Sequence, residues 1–588
     1  MDTYQPPDHE GGFLNAAQLL ALSFYCTICS SLPSAAQQRQ NPSAADFVLR
    51  NAYIYTVDQK RTVAEALAIR NGRIVFVGHN DNVSRFVGTE TQVIDLGGRM
   101  ILPGFIDSHC HPSGAYKQFY EISFNSVRTV PEYQKAIREY YASHAGAKYL
   151  KGRGWSNTLF PKTGPDKKLI DEIVNDIPVS LSSEDGHSKW VNSKALELAG
   201  ITKNTPSPEG GVIELDPITG EPTGTLRESA AGLVAKLFPD YSIDELMKGY
   251  EAYQQMALAF GITMAHDADI DLESNEIAAY KMLEKENRLA MRFRGSLYVS
   301  PKDGLKQVAA ITAERAKHKG PHFQILAAKI YIDGVVEGST AYLKEPYKHV
   351  PNSRGELLWK PEDLNAMCAE LDKNGVQIHV HAIGDGATGV TLDAFAHATK
   401  QNGPRDSRNL ITHLQLVSPD DILRFKKLGV IAVTQPYWFM KDDYYYNIQV
   451  PYLGQERADA EYPMESFFKA GVKVTSSSDY SVTIPCDPLV AIQTGMTRSR
   501  PETVDPKEVL WPGENATLDQ MIASFTINGA YANFLEKSTG SLEVGKLADL
   551  IVLDKNLFNI PVTDIGKARV VMTFFEGKEA FKEKSLKP

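Results

Sequence analysis

The segment ILPGFIDSHCH (101–111) closes an apolar run with two histidines separated by one cysteine. Alternate residues of a β-strand face the same side, so His109 and His111 project together while Cys110 faces the other way. Two neutral imidazoles at this spacing supply half the coordination shell of zinc or a similar divalent metal without distorting the backbone. Alone, the pair reads better as two core histidines satisfied by carbonyls. The elements that position it, and what else those elements carry, must decide.

Eight strand-like apolar runs alternate with helical stretches: 104–111, 261–268, 292–300, 323–334, 376–385, 409–417, 430–438 and 472–479. The intervals 361–375, 388–403 and 418–429 each open on polar residues and stop at glycine around amphipathic turns. This alternation specifies parallel βα units and predicts an α/β fold, a TIM (β/α)8 barrel. Such barrels place their sites at the C-terminal ends of the strands. The first run ends in His109 and His111, the fourth carries Lys329, the fifth ends in His379 and His381, the sixth in His413 and the eighth in Asp479. Scattered core histidines have no reason to gather on one rim, so the joint pattern favours a metal site.

Short alternating strands with Asn-Gly and Gly-Gly turns fill 44–103, and the same texture returns in 538–588. These two segments are expected to form one small β-sandwich domain around the barrel of 104–537. An insertion at about 151–243, following the first strand, is expected over the barrel mouth. Residues 1–43 combine an apolar run, FLNAAQLLALSFYCTICSSLP, with a small-residue stretch, and read as a signal peptide or a disordered extension. The first twelve residues lack the Lys and Arg of a usual signal-peptide start, but the apolar run and the small-residue stretch make export the favoured location, with the cytoplasm the alternative. The apolar run is too short and polar for a membrane span.

The chain has 588 residues with 62 Lys and Arg against 72 Asp and Glu, a net charge of −10, which argues against nucleic acid or an anionic membrane as partner. A small molecule is the expected substrate, and a homodimer is compatible with this reading. Five cysteines form no even framework of close pairs, so no disulfide scaffold is expected.

The motifs LPGFIDSHCH, DGHSKWVNSKALELAGI, HAIGDGA, SSSD and TGSLEVGKLADLIVLD span nearly the whole chain after Ala45. Together they resemble the amidohydrolase superfamily of metal-dependent hydrolases, in the branch that includes YtcJ and N-substituted formamide deformylase. The resemblance implies that His109 and His111 hold one metal, that Asp479 completes that site, and that His381 and His413 hold a second. It also implies that Lys329 matches a position where relatives carry a carboxylated lysine bridging two metals. An unmodified ammonium has no lone pair, so ligation requires the carbamate; the plain alternative is a lysine paired with Asp333 or another carboxylate. Thr412, before His413, stands where relatives often have an acidic residue.

Seven further positions follow. His379 and His266 are expected behind the ligands, in support or packing roles. His187, within the branch motif of the insertion, is expected to face substrate. Trp155, Trp190, Tyr437 and Trp438 are candidates for an aromatic wall, with packing as the plain alternative.

The chemistry implied is hydrolysis of a C–N bond in an amide, N-formyl or cyclic amide group. A divalent metal lowers the pKa of bound water to about 7, and Asp479 would serve as general base. Deamination of a cyclic amidine uses the same chemistry, and a non-catalytic regulator on the same scaffold is the rival from another class. No GxSxG elbow, Walker loop or GxGxxG motif opens a helix after a strand.

Overall fold

Each of the eight apolar runs forms a strand of one parallel sheet in the computed structural model, which describes residues 44–124, 127–503, 505 and 507–584. In chain order the strands are Phe105–Cys110, Ile262–Ile270, Arg292–Tyr298, Phe323–Tyr331, Gln377–Ala382, Leu410–His413, Ile431–Thr434 and Val474–Ser476, and each pairs with its sequence neighbour. The sheet curls until its edges meet. The Asp479 N–H donates to the His109 carbonyl at 2.9 Å, and the hydroxyls of Ser108 and Thr475 lie 2.6 Å apart. The result is a TIM-like barrel.

The helices follow from local sequence. A capping box of Ser242 and Glu245 starts Ile243–Ala259, and proline at the first turn starts Pro361–Lys373 and Pro419–Leu428. Gly429 ends the last of these in the left-handed region, at φ 66°, where a side chain would be strained. The expected helix over 388–403 begins earlier, at Asp385.

Two mixed sheets flank the barrel. One joins Phe47–Arg50, Ala66–Arg70, Arg73–Gly78 and Gln92–Asp95; the other joins Tyr53–Tyr55, Val63–Ala64 and Met100–Pro103 to Leu550–Leu553, Val570–Phe575 and Lys578–Lys582. Leu49, Leu67, Ile69, Ile101, Leu550 and Phe574 pack between them in a core of their own. Segments from both ends of the chain thus build the small sandwich. The leader expected over 1–43 lies outside the described residues.

The inserted segment makes a third, six-stranded sheet over Ile122–Ser123, Leu150–Trp155, Val179–Ser183, Ser188–Val191, Gly211–Leu215 and Pro222–Glu228. It begins at Ile122, ahead of the expected Lys151, because the short strand Ile122–Ser123 pairs in parallel with Leu150–Trp155. No helix among the described residues is long and apolar enough to cross a membrane. Cys110, Cys368 and Cys486 are buried and unpaired.

Candidate metal centre

His109 is wholly buried at the end of the first strand, with Nε2 3.3 Å from Asp479 Oδ1. His111 Nε2 lies 3.2 Å from the same oxygen. Among the described residues these three side chains form a group whose ligand atoms all lie within 4.8 Å of one another. Asp479 Oδ1 is buried without a hydrogen bond, because neither ring directs an N–H at it in bonding geometry. Tetrahedral bonds of about 2.0–2.1 Å to zinc hold ligand atoms about 3.3 Å apart. The two distances to Asp479 Oδ1 therefore fit a common ion better than direct contact, and the donor set of two imidazoles and a carboxylate fits a divalent metal.

Local backbone produces this convergence. Asp479 follows the eighth strand at φ 54° and His413 ends the sixth at φ 78°, both left-handed turns that swing a side chain off the strand end towards the barrel axis. Asp107, two residues before His109, accepts from Ser478 N at 3.0 Å and from the Ser478 hydroxyl, which fixes the residue next to Asp479.

His413 stands 5.1 Å from His109, ring centre to ring centre, and 4.6 Å from His381. Gln435 orients it, with Oε1 3.2 Å from Nδ1. Burial pushes the His413 imidazole down to about 3, against the pull of the Asp479 carboxylate, and burial together with neighbouring cationic groups holds His109 and His381 well below the usual histidine range. All three are neutral, the form that ligates. His381 Nδ1 is buried without a hydrogen bond, 3.4 Å from Asp333 Oδ1. Lys329 Nζ lies 3.5 Å from His109 Nε2 and 4.6 Å from the centre of the Tyr331 ring.

Asp333 does not pair with Lys329. It accepts N–H groups from Ile383, Gly384 and Tyr342 at 2.9–3.0 Å and so shapes the loop after the fifth strand. His379 lies behind His109, and His266 lies deeper.

The metal group lines a cavity of about 1050 Å³ shared by the barrel rim and the insertion. His187 lines it, its ring centre 5.4 Å from that of His381. Its Nδ1 bonds Glu228 Oε2 at 2.9 Å. Burial alone would push His187 down, but the Glu228 carboxylate raises it to about 9, so the imidazole is cationic at neutral pH. Sequence reasoning missed Glu228, which lies 41 residues from His187 on another strand of the inserted sheet. The residue pairing Ser188↔Arg227 brings the two together, and no local motif announces it.

Trp155 and Trp190 do not form an aromatic wall. Both are wholly buried in the insertion's own core with Tyr133, Ile170 and Leu181, and their Nε1 atoms donate to the carbonyls of Leu181 and Asp166. Each lies on a sheet strand whose apolar face packs against the helix Val130–Ser143, not against the cavity. Trp438 does line the cavity, its ring nearly parallel to His413 at 5.8 Å, while Tyr437 is buried in the main core.

The sequence matches the amidohydrolase family over residues 92–581. It is 30% identical over 582 residues to Protein LONG AFTER FAR-RED 3 of Arabidopsis thaliana, an alignment spanning 97% of this chain and 98% of that one. It is 25% identical to the N-substituted formamide deformylase of Arthrobacter pascens, across 90% of this chain and 97% of the other. An uncharacterized metal-dependent hydrolase from Pyrococcus furiosus superimposes with a TM-score of 0.66 at 26% identity, covering 87% of this chain and 99% of that structure. Fold, ligand geometry and sequence agree: the chain belongs to the amidohydrolase family of metal-dependent hydrolases.

Proposed function

We propose that this protein hydrolyses the C–N bond of an N-formyl or N-acyl amide at a centre holding one or two zinc ions. The observation that carries the proposal is the partnerless Asp479 Oδ1, buried on the cavity floor 3.2 and 3.3 Å from two imidazole nitrogens. The name of the formamide-cleaving relative, aligned over nearly the full chain, supports the bond class. A bound divalent metal supplies an acidified water and polarises the substrate carbonyl.

The residues of the chain do the rest. Burial raises the Asp479 pKa, but the nearby His111, His413 and Lys329 groups outweigh it and hold the carboxyl below the usual carboxylate range. It is thus an anion at neutral pH, able to take the proton of the attacking water and return it to the leaving nitrogen. His187, held by Glu228, presents a cationic imidazole to the cavity beside His381, where it can stabilise negative charge developing on the carbonyl oxygen. His381 and His413 would hold a second ion, and Lys329, as a carbamate, would supply further ligand oxygens.

The test is a panel of N-formyl amines, N-acyl amino acids, cyclic amides and esters given to protein loaded with zinc. Turnover of an amide is expected, with Asp479→Asn lowering kcat by about 10²–10⁴-fold, the usual worth of a general acid–base group, while elemental analysis still finds metal. A fully metallated protein inert to every amide, or an Asp479→Asn variant as active as wild type, defeats the proposal.

A further inference from the structure

The interior of a TIM barrel is ordinarily packed with branched aliphatic side chains. Here a file of polar groups runs along it. It starts at the N-terminal end of the strands, where Asn533 follows the short helix Ile527–Ala532; Gln377, the first residue of the fifth strand, donates to the Ala532 carbonyl at 3.0 Å. Asn533 Oδ1 lies 2.9 Å from His266 Nδ1. His266 Nε2 lies 2.8 Å from Ser296 Oγ, which lies 3.1 Å from His379 Nδ1. His379 Nε2 is 2.8 Å from His109 Nδ1. His109 Nε2 faces Asp479. Every residue of the file is buried, with no side chain more than a few per cent exposed.

The direction of each hydrogen bond can be deduced. Asn533 Nδ2 donates to the Gly529 carbonyl at 2.9 Å, and a carbonyl only accepts, so the Asn533 oxygen must be the atom that faces His266. An amide oxygen also only accepts, so His266 carries its hydrogen on Nδ1. Burial, with the Arg294 and Lys329 charges, keeps that ring neutral, so Nε2 is bare and accepts from the Ser296 hydroxyl. A hydroxyl has one hydrogen, so its oxygen accepts from His379 Nδ1–H. Lys329 Nζ lies 3.5 Å from His109 Nε2 and an ammonium only donates, so that nitrogen is bare, His109 carries its hydrogen on Nδ1, and His379 Nε2 accepts it.

We propose that Asn533, acting through His266, Ser296 and His379, locks His109 in the tautomer with its hydrogen on Nδ1, so that the Nε2 lone pair points at the metal position. Asn533 and Ser296 are thereby positioning residues for the metal centre, although neither touches it. The assignment rests on the metal-centre reading above and extends it to the far end of the barrel. Partners of this kind are typically worth about 10–100-fold in metal affinity.

Two readouts test it on the full-length chain. In metal-free protein labelled with ¹⁵N-histidine, with signals assigned by single His→Gln variants, the imidazole shifts of wild type should show His109 protonated at Nδ1. Ser296→Ala should leave a mixture of tautomers, and Ser296→Thr, which keeps the hydroxyl, should restore the single form. Co(II) titrated against a competing chelator should bind Ser296→Ala about 10–100-fold more weakly, with an altered ligand-field spectrum, and Ser296→Thr as tightly as wild type. If Ser296→Ala does not fold, Asn533→Asp, which keeps an acceptor, should preserve the tautomer and Asn533→Leu should lose it. Wild-type His109 protonated at Nε2, or Ser296→Ala unchanged in both readouts, overturns the proposal. Wild type that binds no Co(II) defeats the metal reading alone, and the spectrum of the metal-free protein still decides the tautomer.

Discussion

Lys329 concentrates the unresolved charge of the site. It is wholly buried, no carboxylate ion-pairs with it among the described residues, and burial pushes its ammonium down to about 8 despite the Asp269 and Asp479 charges. A lysine in this range keeps a usable fraction of neutral amine at neutral pH, the form that adds carbon dioxide. A carbamate there would turn a positive group beside two dications into a negative one. Lys329→Ala is therefore expected to lower metal content by about half or more at equal zinc, since bridging oxygens serve both ions, and added short carboxylates with zinc should restore part of the activity. Lys329→Arg should not rescue, because guanidinium forms no carbamate and stays cationic. A carbamate signal in protein equilibrated with ¹³C-bicarbonate checks the chemistry directly; full metal occupancy in Lys329→Ala rules out the bridge. At this scale the sequence was informative for a plain reason: residues at the ends of parallel strands share one rim, so spacing along the chain reports neighbourhood in space. Ser296 and Asn533 gave no such signal, because they meet His266 inside the barrel across 30 and 267 residues.

The inserted sheet is the element whose limits and faces the sequence conceals. Its strands come from six short runs with no period to mark which face is apolar, and its first strand, Ile122–Ser123, is only two residues long. For the same reason Trp155 and Trp190 gave no clue that they face inward, whereas His187 lay within a motif that did. The two kinds of residue should separate by experiment. Trp155→Ala is expected to cost about 3–5 kcal/mol, the usual range for emptying a buried tryptophan site, seen as lost hydrogen-exchange protection over 122–228 with metal content unchanged. Retained protection there would return Trp155 to the cavity. His187→Gln should leave metal bound and raise KM or lower kcat. Its ion pair with Glu228 also sets a pH window. Because the folded His187 pKa, about 9, lies above its ordinary value of 6.5, the pair stabilises fully below about pH 6.5 and fades as pH rises to 9. The lowered Glu228 pKa acts in the other direction, its stabilisation present above about pH 4.5 and lost in acid. Melting curves of wild type and Glu228→Gln should therefore differ most between pH 5 and 6.5 and converge near pH 10. Parallel curves across that range would remove the pair from the insertion's stability.

On the scale of the whole molecule, the candidate metal position lies at the seam of the barrel. The first and last strands are 364 residues apart in sequence, counting from Cys110 to Val474, and no hairpin or helix joins them directly. The contacts across it include Asp479 N–H to the His109 carbonyl, His111 N–H to the Tyr480 carbonyl, the Ser478 N–H and hydroxyl to Asp107, and the Ser108–Thr475 hydroxyl pair. The candidate ligands sit on both sides of this seam, His109 and His111 on one edge and Asp479 on the other. An ion bound there would staple the barrel shut, and its binding energy would be available only to the closed state, which would gain RT ln(1 + [L]/Kd), about 4 kcal/mol at a thousandfold excess over Kd. Removing metal should then do more than abolish activity. Chelation is expected to lower the melting midpoint and to speed amide exchange first at 105–111 and 474–482, while the sandwich strands Leu550–Leu553 and Val570–Phe575, with their separate core, keep their protection. If exchange instead rises evenly over the chain, or begins in the sandwich, the ion does not hold the seam, and closure rests on the hydrogen bonds alone.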